Sequence, residues 1–187
     1  MNVHRLIVCI TGMPGAGKTT AHYLLPSLGF TVLSMGDIIR EESQRRGYGL
    51  SAEGQRRTQQ IIRKEKGAAA VAELCAEKIL REGLKLVVID GIRSMDEVNH
   101  FRQISTVKTL CIHASPTKRF LFLARRGRKD DPKDLQEFTI RDKAEMELGV
   151  SNVIALADRV IDNEELTIDE LRQKTLNIVR SWVEKNE

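Results

Sequence analysis

Gly12-Met13-Pro14-Gly15-Ala16-Gly17-Lys18-Thr19 satisfies every fixed position of the pattern G-x-x-x-x-G-K-[ST]. The pattern has a physical reason. Its glycines let the backbone turn tightly and bring several N–H groups toward one anion. A lysine placed as Lys18 is reaches the outer phosphates of a nucleoside triphosphate, and a hydroxyl placed as Thr19 is can ligate Mg²⁺. Thr20 continues into the helix that such a loop opens, and the N-terminus of that helix favours an anion in its own right. The flanks supply the required context. Arg5 to Thr11 is nearly continuous in apolar residues, as a strand buried on both faces is. Thr19 to Leu25 reads as a helix that stops near Pro26.

Outward from the loop, the bulk composition narrows the class. A chain of 187 residues suits one domain. Hydrophobic residues make up 41% and charged residues 30%, the balance of a folded globular chain. Aromatics are only 4%, so the core must be aliphatic. No apolar run approaches the ~20 residues of a membrane helix, and the first one leads straight into the glycine loop rather than ending as a signal peptide does. A cytoplasmic location is therefore expected. The net charge of +4 and a pI of about 9.0 suit either nucleic acid or small polyanions. No basic block is interleaved with aromatics, and the densest arginine cluster falls where phosphate transfer would use it, so nucleotides are favoured over nucleic acid. Cys9, Cys75 and Cys111 form no C-x-x-C pair and no metal spacing with the four histidines; they read as reduced core residues.

The remainder alternates strands with helices. Gly29 to Ser34 reads as a second strand, followed by Met35-Gly36-Asp37 and a helix from Ile38. Asp37 is placed either to cap that helix or to bring a carboxylate to the ligand end of a strand. Ser51 to Lys66 has helical composition with a thin apolar face, and Ala68 to Leu80 makes a better helix with Val71, Ala72, Cys75, Ile79 and Leu80 on one side. Leu84 to Asp90 is an aliphatic run closing on an acid, the usual companion of a phosphate loop because that carboxylate meets the Mg²⁺ shell. Arg93 follows, aimed at the same crevice or at a surface partner. Ser94 caps a helix through Phe101. Thr106 to Ile112 is a fourth strand, Ser115-Pro116 starts a helix to Arg126, and Pro132 is expected to start the next. Leu135 to Leu148 is charged nearly all round, which suits a lid or a solvated surface. A fifth strand lies within Ala155 to Asn163, and Thr167 caps a last helix from Ile168 to Glu184. The expected architecture is α/β, a three-layer fold around a five-stranded parallel sheet with right-handed crossovers.

Taken together, Gly12–Thr19, Met35-Gly36-Asp37-Ile38-Ile39-Arg40, Asp90-Gly91-Ile92-Arg93 and Arg125-Arg126-Gly127-Arg128-Lys129-Asp130-Asp131 resemble the ordered motifs of nucleoside monophosphate kinases, adenylate kinase in particular. Over nearly its whole length the chain looks like an archaeal family of adenylate-kinase-related proteins of unassigned activity, and dephospho-coenzyme A kinase is similar in layout. The resemblance implies the P-loop nucleoside triphosphate hydrolase fold with strand order 2-3-1-4-5, an acceptor-side helical lobe at about 36–83 and a lid at about 125–147. It implies ATP and Mg²⁺ as cofactors and a small phosphoryl acceptor as the second substrate. By the same likeness Gly36, Asp37, Arg40 and Arg93 belong to the acceptor site, Asp90 holds Mg²⁺ through water, and Arg125, Arg128 and Arg141 close over the transferring group. The chain departs from adenylate kinase at Met35, where threonine is usual. It has the shorter Asp90–Arg93 motif and no counterpart of the adenine-reading glutamine between Ser94 and His100. Phosphate handling is thus expected, and the identity of the acceptor stays open. The absence of an Asn-Lys-x-Asp motif argues against a GTPase. The rival expectation is a nucleotide-dependent regulatory protein with slow hydrolysis and no acceptor.

Overall fold

Five strands form one parallel sheet in the order β2-β3-β1-β4-β5, with helices on both faces. The computed structural model describes residues 5–128 and 131–186; Lys129 and Asp130 of the arginine-rich motif lie outside it. The strands are β1 (Leu6–Thr11), β2 (Thr31–Ser34), β3 (Leu86–Asp90), β4 (Thr106–His113) and β5 (Arg159–Asp162). The helices are α1 (Lys18–Ala21), α2 (Met35–Arg45), α3 (Ala52–Lys66), α4 (Ala70–Arg81), α5 (Met95–Arg102), α6 (Pro116–Arg126), α7 (Leu135–Glu147), α8 (Val150–Ala155) and α9 (Ile168–Glu184).

Alternation along β1 explains the two cores. Ile7 and Cys9 face one side, with Val87 and Ile89 of β3, and pack against α4 and α5 through Cys75, Ile79 and Phe101. Leu6, Val8 and Ile10 face the other, where Leu25, Leu171, Val179 and Trp182 cover them. A central parallel strand buried on both faces must be apolar at every position, and β1 is. All three cysteines are buried and free. Burial pushes the Cys75 thiol up to about 12 and that of Cys111 to about 11, and raises Cys9 as well.

Several boundaries differ from expectation. The helix after the phosphate loop is short: α1 ends at Ala21 and passes into a 3-10 turn, His22–Leu28, that contains Pro26. Proline offers no N–H to a helical ladder, so the regular α-helix is not continued through Pro26. Helix α2 begins at Met35, directly after β2, with Ser34 at the N-cap. Asp37 is therefore not a cap but a first-turn residue, where its carboxylate meets the helix dipole and pairs with Arg40. Leu80 is half exposed, because it lies about 100° round the helix from buried Ile79. Pro132 does not start α7; Asp134 does, its side chain accepting from the Glu137 N–H. The short helix α8 was not expected.

Ser94, Ser115 and Thr167 cap α5, α6 and α9, the first and last with full capping boxes to Glu97 and Glu170. No helix of the described residues is long and apolar enough to cross a membrane.

Candidate functional site

The ends of β1 and β3 open into a cavity of about 810 Å³. Its wall carries Gly12, Pro14, Gly15 and Gly17 of the loop, Lys18, Thr19 and Thr20 after it, and Gly36, Asp90, Arg93 and Arg141. This is the carboxyl edge of the sheet, where open α/β folds hold ligands.

The loop is packed from behind. Gly12 has φ +136, and a Cβ there would fall on the carbonyl oxygen of Ile112 in β4. A Cβ on Gly15 would come 2.6 Å from the carbonyl oxygen of Arg119 in α6. Ala16 is buried, and its carbonyl accepts a 2.9 Å bond from Asn163 Nδ2. Arg119 is 3% exposed and does three things at once. It donates to the Pro14 carbonyl of the loop (3.1 Å) and to the Ala114 carbonyl (3.2 Å). It also makes a two-pronged pair with Asp142 of α7 at 2.8 and 2.6 Å. Gly17 is the N-cap of α1, so the loop runs straight into a helix N-terminus.

Lys18 Nζ donates to the Gly12 carbonyl (2.8 Å) and the Met13 carbonyl (3.1 Å), folding its ammonium over the loop. Burial lowers its pKa, against the pull of Asp90 and Glu145. Asp90 ends β3 beside it. Burial would raise the Asp90 pKa, but His22, Lys18 and Arg93 outweigh burial and hold the carboxyl below its usual range. Asp90 Oδ1 is buried and accepts no hydrogen bond. Thr19 is exposed on the cavity wall. A buried oxygen in want of a partner, a hydroxyl lining the same cavity and a backbone cradle for phosphates fit a hard divalent cation with oxygen ligands. Among the described residues no three His, Cys, Asp or Glu side chains gather as a metal cluster, so such a cation would draw its remaining ligands from phosphate and water.

The expected acceptor and lid residues divide. Gly36, Arg93, Arg125, Arg128 and Arg141 line the cavity. Asp37 and Arg40 do not; they pair with each other on the exposed side of α2. Arg93 Nε donates to Glu145 Oε2 of α7 at 2.8 Å, and Arg141 reaches Asp131, which also holds Arg126. Sequence reasoning missed Arg119, Asn163, His22 and Glu145. Local pattern carries no signal for them: the partners of Arg119 lie 105 and 23 residues away along the chain.

Comparison with known proteins agrees with this architecture. Residues 11–139 match the model of a family described as an AAA domain. A UPF0200 protein from Hyperthermus butylicus is 41% identical, over 94% of each chain. Another, from Methanocaldococcus jannaschii, is 37% identical over 97% of this chain and 96% of its own. Among solved structures, TT1252 from Thermus thermophilus superposes with a TM-score of 0.68 at 20% identity, covering 95% of this chain and 98% of that one. Shikimate kinase from Bacteroides thetaiotaomicron gives 0.56 at 19%, covering 94% and 98%. These neighbours share with this chain the fold of P-loop kinases. With two relatives matched almost end to end at about two residues in five, the chain belongs to the UPF0200 family of P-loop proteins.

Proposed function

We propose that this protein is a phosphotransferase that uses ATP and Mg²⁺ to phosphorylate a small acceptor. One observation carries the reading: a single cavity joins a phosphate loop and a strand-end acid to five arginines, Arg93, Arg125, Arg126, Arg128 and Arg141. A nucleotide switch has no use for a second cationic wall opposite its triphosphate; a transferase does, because charge spreads over the moving phosphoryl group.

In this reading Lys18 and the loop amides from Gly12 to Thr20 hold the β- and γ-phosphates. Thr19 and Asp90 are the residues that would hold Mg²⁺, which neutralises phosphate charge when bound. Arg125, Arg128 and Arg141, in a lid at about 125–147, meet the charge of the transition state. Gly36 and Arg93 face the acceptor, in a lobe at about 36–83 that includes Asp37 and Arg40. For those two to touch the acceptor, their mutual pair must open; Arg40 Nη1 already stands 3.5 Å from where a Cβ on cavity-lining Gly36 would sit. For a hydroxyl acceptor Asp37 would then take the proton; for a phosphate acceptor it would only orient. The residues position and stabilise, and no covalent intermediate is required.

The test is ADP release from MgATP across a panel of nucleoside monophosphates, nucleosides, dephospho-coenzyme A and small phosphorylated metabolites, with Lys18→Ala as the blank. Stimulation by one acceptor, lost in the blank, is the expected result. Binding of ATP with no acceptor raising the rate would instead favour a nucleotide-dependent regulatory protein.

A further inference from the structure

Four side-chain polar atoms among the described residues are buried with no hydrogen-bond partner. Three of them sit together: both ring nitrogens of His22 and Oδ1 of Asp90. Folded proteins satisfy nearly all such atoms, so a cluster of three marks a place whose partners are supplied by something bound. His22 Nε2 lies 3.4 Å from Asp90 Oδ2, close enough for a hydrogen bond but not aligned for one. His22 begins the 3-10 turn, three residues after Thr19, and at that spacing the two side chains leave the same face of the turn. Thr19 and Asp90 line one cavity, and His22 stands beside Asp90.

We propose that His22 is a positioning residue for Asp90. Its Nε2–H donates to Oδ2, and this fixes the carboxylate with Oδ1 turned toward the divalent cation that Asp90 and Thr19 would hold. The inference rests on the phosphotransferase reading, because it gives the cation a place beside the phosphate loop. Carboxylates near metals are commonly oriented by such second hydrogen bonds, and losing one costs about 10–100-fold in metal affinity. The His22 ring has little other purpose here. Its side chain is 12% exposed, too buried to be solvated, yet it donates to no carbonyl of its own turn.

The experiment measures ADP binding to the full chain in EDTA and in Mn²⁺, with Mn²⁺ also read by electron paramagnetic resonance. The proteins are the wild type, His22→Ala, His22→Phe and His22→Gln. Alanine and phenylalanine remove the donor with opposite changes of volume, so a packing defect in one is exposed by the other. Glutamine keeps an N–H at nearly the Nε2 position. The expected result is unchanged ADP affinity in EDTA for all four. Mn²⁺-dependent affinity should fall about 10-fold or more in the alanine and phenylalanine variants and recover in the glutamine variant. Retention of Mn²⁺ affinity within twofold in both donor-less variants overturns the proposal, as does a glutamine variant as weak as they are. A nitrogen hyperfine coupling on Mn²⁺ in the wild type, lost in His22→Phe, also overturns it, since His22 would then be a ligand. A wild type that binds ADP but no Mn²⁺ overturns this inference and leaves nucleotide binding standing. A wild type that binds no ADP at all removes the phosphotransferase reading and this inference together.

Discussion

Around Gly12–Thr20 the backbone itself is the fixed part, held from behind by Ile112, Arg119 and Asn163. Around Arg93 and Arg141 the fixed parts are the tips of long side chains, held by Glu145 and Asp131. The first arrangement is pre-formed, since backbone amides need no rearrangement to meet phosphate. The second is paired and must exchange partners to meet an anion. A wall built this way suits the moving half of a cavity. Each of the following measurements strains one side of this contrast.

The largest effect is expected from the arginine wall in turnover. Replacing Arg125, Arg128 or Arg141 with alanine should lower the rate about 10³–10⁵-fold while ATP affinity changes less than about tenfold. Single-turnover kinetics beside equilibrium ATP binding would separate the two. Equal losses in both would mean that these arginines grip the ground-state nucleotide and that the wall is as pre-formed as the loop.

The loop should show its rigidity in stability. Gly12→Ala combines a left-handed φ with a Cβ driven into the Ile112 carbonyl, and about 3–5 kcal/mol of destabilisation follows from strain and overpacking together. The urea midpoint reads this directly. A variant of native stability would show that the loop can yield, and the contrast would collapse. Arg119→Ala comes next, at about 3 kcal/mol, because it strands Asp142 in a partly buried place and frees the Pro14 carbonyl. ATP affinity should fall with it, although Arg119 is absent from the cavity wall.

The same contrast governs what could be read from the residues alone. Backbone-built features were legible because they write themselves into contiguous sequence. Gly12–Thr19, the apolar run Leu6–Thr11, the acid closing Leu86–Asp90 and the caps Ser94, Ser115 and Thr167 are each a local pattern with a local cause. Strand order followed from the resemblance and the sheet has it. Side-chain pairs were not legible, since nothing near Glu145 marks Arg93 as its partner, 52 residues away. Asp37 looked like a cap because the helix was expected to begin at Ile38; two earlier helical residues turned it into a partner for Arg40. His22 lay within the helix expected from Thr19 to Leu25. The tighter 3-10 turn that His22 begins, with Pro26 inside it, is not written in that helical pattern.

The smallest effect should come from acid, and it tests whether charge holds the helices beside the sheet while packing holds the sheet. Glu42 of α2 accepts from Arg45 at 2.7 Å and Arg46 at 2.5 Å, and Arg46 reaches on to Glu65 of α3. Bonds from Arg45 and then Arg46 outweigh burial and bring the Glu42 carboxyl down to about 2. A carboxyl depressed in the fold stabilises above its unfolded value, near 4.5, and loses that contribution as pH falls through about 2. Glu42 is buried, but Arg45 and Glu65 reach solvent, so screening holds each pair to about 1 kcal/mol. Acidification from pH 6 to about pH 2 should therefore raise amide exchange in α2 and α3, after correction for intrinsic rates. Trp182, packed on the sheet, should keep its emission. Glu42→Gln should produce the same loosening at neutral pH. If Trp182 shifts before the α2 and α3 amides do, the sheet core is the part that acid reaches, and charge is not what distinguishes the two regions.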